Sequence, residues 1–124
     1  MEKRKRVLVV DDDETFCRFL AEVLEASGMD VKWTTDGLLG YENSLHEHYD
    51  LFILDQRMPL ILGTELVMEL KKDNRHAKII LTSAFADDAL RNIARTLRVP
   101  LLSKPFTANS LLTTIARELD RPRK

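Results

Sequence analysis

Apolar and polar positions follow one repeating scheme along the chain. A short run rich in Val, Ile and Leu gives way each time to a longer stretch with apolar residues at helical spacing. The first run, RVLVV, reads as a buried strand. Beyond it Phe16, Leu20, Val23 and Leu24 share one face of a helix over Glu14–Ser27, with Asp13 as its N-cap and Gly28 as its stop. VKWTT predicts a second strand, residues 38–48 a weaker helix, and DLFIL a third strand ending at Asp55. GTELVMELKK, with Leu66, Val67 and Leu70 on one face, predicts the third helix, and KIILT the fourth strand. DDALRNIARTL, VPLLS and TANSLLTTIAREL complete the series as helix, strand and helix, the last opened by Thr107 as N-cap. Strand and helix thus alternate five times, which predicts an α/β fold: a single doubly wound, five-stranded parallel sheet flanked by five helices.

Composition narrows the picture. The 124 residues fit one domain over 1–124, with the residues after about 120 as a tail or linker. A net charge of -1 argues against direct nucleic-acid binding by this domain, although both ends, MEKRKR and RPRK, are basic and read as solvated. No apolar run approaches the roughly 18 residues of a membrane span, and no signal peptide is visible. The single Cys17 forms no intrachain disulfide. The expectation is a cytoplasmic protein that does not enter the membrane.

Parallel sheets of this kind place ligands at the carboxyl ends of their strands. Asp11 and Asp12, Asp55, Thr82 with Ser83, and Lys104 all fall at or just beyond such ends. The stretch VLVVDDDE sets three aspartates and a glutamate directly after the first strand. Like charges about 4 Å apart repel by about 4 kcal/mol near a protein surface. A raised pKa, a bound cation or splaying into solvent would each relieve that. With neighbouring strands about 4.8 Å apart, Asp11, Asp12 and Asp55 form a carboxylate cluster suited to Mg²⁺. Lys104 and the Thr82 hydroxyl then match a phosphoryl group, with Asp55 either a metal ligand or a nucleophile.

VLVVDDDE, LFILDQRMP, ILTSA and LLSKPF, in this order, resemble the receiver domains of bacterial two-component response regulators. The resemblance covers nearly the whole chain. It implies a flavodoxin-like sheet of order 2-1-3-4-5. It implies Asp55 as phosphoacceptor, taking a phosphoryl group from a sensor histidine kinase or phosphotransfer protein. Mg²⁺ would be held by Asp11, Asp12, Asp55 and the Arg57 backbone carbonyl. Thr82 would be the switch hydroxyl and Lys104 the charge that holds the phosphoryl group, followed by a cis bond to Pro105. The chain would then be a signalling switch for an output domain or effector protein. It would not be an enzyme beyond its own phosphoryl transfer and slow autodephosphorylation. Arg57 and Ala84 would tune the lifetime of the phosphoryl group, and a homodimer stays open.

Two stretches depart from the family pattern. Leu101 stands where an aromatic is usual, and Leu97-Arg98 where a small Gly-Ala pair is usual. The loop LILG carries Leu60, Ile61 and Leu62 in place of polar residues; either two of them pack under the third helix or they form a docking patch. Other side chains have plainer readings. Asp13 and Glu14 suit a helix N-terminus. His46, His48 and His76 lack metal-ligand spacing, Cys17 reads as half-buried, and Trp33 as core or its margin. Rival functions are a phosphorylation-independent receiver, a small-molecule phosphatase and a flavin or dinucleotide carrier. The phosphatase lacks an acid at Arg57, and the carrier lacks a phosphate-binding loop after the first strand.

Overall fold

The computed structural model describes residues 3–122, so Met1, Glu2, Arg123 and Lys124 of the basic ends lie outside the described residues. Five strands and five helices alternate: β1 Arg6–Val10, α1 Glu14–Ala26, β2 Asp30–Thr34, α2 Gly37–His46, β3 Leu51–Asp55, α3 Gly63–Asp73, β4 Ile79–Ser83, α4 Asp88–Leu97, β5 Leu101–Ser103 and α5 Ala108–Asp120. The strands form one parallel sheet in the order β2-β1-β3-β4-β5. The flavodoxin-like α/β expectation is met.

The period of two along each strand divides the core between the sheet's faces. Val7 and Val9, Leu51 and Ile53, and Ile80 meet Leu20 and Leu24 of α1 and Leu111 and Ile115 of α5. Leu8 and Val10, Phe52 and Leu54, and Ile79 and Leu81 meet Leu66, Val67 and Leu70 of α3 and Leu90 and Ala94 of α4. Each fully buried leucine contributes about 2 kcal/mol. Both faces being covered explains why β1, β3 and β4 read as unbroken apolar runs.

The caps fall where the sequence places them. The Asp13 carboxylate accepts from Phe16 N, and the Thr107 hydroxyl from Ser110 N. Just after the α1 C-cap, Gly28 turns the chain at φ +88.

Three local expectations are corrected. β5 begins at Leu101 rather than Val99: the Val99 N–H closes the end of α4 on the Ala94 carbonyl, and Pro100 has no N–H to give. Cys17 is fully buried rather than half-buried, because it lies on the same face of α1 as Leu20 and Leu24. Of the three apolar loop residues only Ile61 packs on the core; Leu60 and Leu62 stay 82% and 44% exposed. Trp33 sits at the core margin under the Arg18 guanidinium.

Candidate functional site

Parallel register sets the site. Val10 lies opposite Leu54, and Asp55 opposite Thr82, so Asp11 and Asp55 emerge at the same edge of adjacent strands. Ser83 pairs with Ser103, and the Lys104 N–H donates to the Ser83 carbonyl at 2.8 Å, which delivers Lys104 to that edge. The Lys104–Pro105 bond is cis. On the other side of Asp55, Gly63 opens α3 with its N–H on the Gln56 carbonyl. A Cβ at Gly63 would stand 2.5 Å from the Asp55 carbonyl oxygen, so glycine alone permits this approach.

Lys104 bridges the acids, with Nζ at 2.7 Å from Asp11 and 3.2 Å from Asp55. Asp11 is also held by the Asp13 N–H on its carboxylate at 2.9 Å. Ligand oxygens of Asp11, Asp12 and Asp55 all lie within 4.8 Å of one another. That is close to the roughly 4 Å between opposite ligands of an octahedral Mg²⁺, and the donors are all hard oxygens. The acids therefore fit such an ion. Three carboxylates face one ammonium, so the cluster carries excess negative charge.

Burial and the shared charge both shift the proton affinities. Burial pushes the Asp55 carboxyl up to about 6; the Asp11 charge adds to this and Lys104 opposes it. Burial would lower the Lys104 ammonium, but its bond to Asp11 and the charges of Asp11 and Asp55 outweigh it and raise the pKa.

Thr82 is fully buried next to Asp55, yet its hydroxyl donates to the Leu54 carbonyl at a long 3.4 Å and not to a carboxylate. Arg57 is exposed, with its guanidinium 6.0 Å from the Phe85 ring centroid. Leu101 is half-buried against the α4 side of the core. Cys17 touches the site only by donating its thiol to the Asp11 carbonyl at 3.2 Å; burial first, then the Asp11 charge, push it up to about 12, so it stays a neutral thiol.

One contributor escaped the sequence reading. Phe16, read there as a core position, places its ring 4.2 Å from Lys104 Nζ and stacks edge-on against Phe106 at 5.6 Å. Its position three residues after the N-cap Asp13, directly behind the acidic run, was the available signal.

The profile of the response regulator receiver domain matches residues 7–116. The chain belongs to this family. It is 33% identical over 116 residues to the response regulator receiver protein CpdR of Brucella abortus, covering 93% of this chain and 97% of that one. A response regulator receiver protein of Anaeromyxobacter sp. strain Fw109-5 is 35% identical over 109 residues, 87% of this chain but 46% of the relative. The receiver domain thus spans about half the length of that relative. Among solved structures, a CheY-like receiver domain from Methanospirillum hungatei JF-1 superposes with a TM-score of 0.90 at 26% identity over 95% of both chains. Family membership makes this a domain of two-component signalling. No helix among the described residues is long and apolar enough to cross a membrane.

Proposed function

We propose that the domain is a phosphorylation-dependent switch whose phosphoacceptor is Asp55. The observation that carries this is the single ammonium of Lys104 shared between Asp11 and Asp55 at the mouth of an overcharged carboxylate cluster. Such a site is incomplete without further positive charge and is built to gain a charged ligand.

Asp11, Asp12 and Asp55, with the backbone carbonyl of Arg57, would hold Mg²⁺, whose charge stabilises the transferring phosphoryl oxygens. An Asp55 carboxylate oxygen attacks phosphorus of a phosphohistidine on a sensor kinase or phosphotransfer protein. The new P–O bond forms as the P–N bond breaks. The imidazole nitrogen leaves with that electron pair and takes up a proton. Lys104 then exchanges its carboxylate contacts for a phosphoryl oxygen. Thr82 leaves its long bond to Leu54 for the same group, a stronger charge-assisted acceptor. With Leu101 in place of the usual aromatic, the Thr82 movement passes into β5 and the α4 side of the core without a ring to swing. The readers of this change are an output domain or effector protein in the cytoplasm.

Intact mass after incubation with acetyl phosphate tests this, with and without Mg²⁺, on wild type and Asp55→Asn. The expected result is a Mg²⁺-dependent phosphoryl adduct in wild type alone. Failure to form it, with failure to bind beryllofluoride and Mg²⁺, would move the reading to a phosphorylation-independent interaction module.

A further inference from the structure

The sheet end opposite Asp55 gathers charge of the other sign. A cleft of about 320 Å³ opens where the end of α3, the start of β4, the α4–β5 turn and the end of α5 meet. Lys71, Arg75, His76, Lys78, Arg98 and Arg121 line it. Some of this charge is already engaged. Lys78 donates to the Glu118, Leu119 and Arg121 carbonyls, and Arg121 pairs with the buried Glu118 at 2.9 Å. The rest is not. Among the described residues no carboxylate lies within ion-pair distance of Lys71, Arg75 or Arg98. Lys71 spends one donor on the Leu97 carbonyl at 2.6 Å. Burial first, then the neighbouring Arg121 and Arg98, lower its pKa, with Glu118 offsetting only part.

Arg98 adds an independent observation. It closes α4 in the left-handed backbone region at φ 60 and ψ 46, where glycine is at ease and a side chain is strained. A guanidinium thus stands at a position whose backbone favours glycine, or Asn and Asp, over a long side chain.

The shape selects the ligand. Guanidinium forks match phosphate oxygens, and the volume is that of a small-molecule site. Unpaired cations converge on a cleft, in a chain whose net charge is -1, which favours a compact anion over an extended one. Three unpaired cations suit adjoining phosphates better than a single one. We propose that this cleft binds a soluble diphosphate, either inorganic or carried by a nucleotide.

The test is an amide-shift NMR titration of the ¹⁵N-labelled chain in metal-free, low-salt buffer, so that the acidic edge recruits no phosphate through a cation. The probes are inorganic phosphate, inorganic pyrophosphate and ADP. Saturable shifts are expected at residues 71–78, 98 and 118–121, with at least ten-fold tighter binding of pyrophosphate or ADP than of phosphate. Whichever of those two binds more tightly identifies the source. Arg98→Gly, which relieves the backbone while removing the guanidinium, is expected to stay folded and to weaken binding at least five-fold; Arg75→Ala is expected to do the same. Shifts that do not saturate, shifts centred instead on the basic segment 3–6, or unchanged affinity in Arg98→Gly would overturn the proposal.

Discussion

Lys104 and Lys78 are both largely enclosed lysines, one just past the end of β5 and one just before the start of β4. They are satisfied by different chemistry. Lys104 meets the carboxylates of Asp11 and Asp55, whereas Lys78 meets the backbone carbonyls of Glu118, Leu119 and Arg121 at the end of α5. Carbonyls at a helix terminus do not titrate and do not move without fraying the helix. Lys78 is therefore a fixed cap that ties α5 to the sheet. Carboxylates can lose charge, bind a cation or be esterified, so the contacts of Lys104 are exchangeable. Lys78 is held by groups that cannot titrate and Lys104 by groups that can, although sequence position alone does not separate them.

Removing each ammonium in turn separates the two lysines most strongly. Lys78→Met leaves buried carbonyls without donors and is expected to cost about 3 kcal/mol, or roughly 10 °C in melting temperature. Adduct formation on Asp55 in the folded fraction should be unchanged; a large loss there would merge the two roles. Lys104→Met is expected to slow phosphorylation by acetyl phosphate about 100-fold. Its melting temperature in Mg²⁺ should fall less than that of Lys78→Met, because the cation takes over the neutralisation.

A smaller effect concerns pH. The Asp55 carboxyl titrates at 3.8 when unperturbed and near 6 in the fold. Between those values the native state binds the extra proton, so stability falls as pH rises through this window, and the loss is complete above about pH 6. In metal-free buffer Asp55→Asn should be about 2 kcal/mol more stable than wild type at pH 7.5, with the gap closing near pH 4. Melting curves across pH 4–8 would reveal it; a constant gap would refute the assignment. The smallest effect is expected for Phe16→Leu, which removes the ring beside Lys104 and should slow phosphorylation about three-fold in acetyl phosphate kinetics.

The elements and the acidic site were legible because they depend on local rules. Short unbroken apolar runs mark the central strands, Asp13 and Thr107 mark helix starts, and strand ends in a parallel sheet converge whatever the loops do. The remainder depends on which distant residues meet. Nothing near Lys78 in sequence indicates that the end of α5 will sit over it, or that Arg98 and Lys71 will face the same cleft. The full burial of Cys17 follows from helix phase, which sets it with Leu20 and Leu24; adjacency to the partly buried Phe16 points only to half-burial. In the loop Leu60 takes a positive φ of 74, which an apolar run in sequence does not announce, and Ile61 alone of the three packs inward.

The carboxylate edge carries more negative charge than Lys104 offsets, and a bound cation is expected to complete it. The most direct measurement is the melting temperature at pH 7.5 in metal-free buffer and in saturating Mg²⁺, on wild type and Asp55→Asn. Mg²⁺ is expected to raise the wild-type value by several degrees, with most of this rise lost in Asp55→Asn. An unchanged wild-type melting temperature, or an equal rise in both proteins, would contradict it.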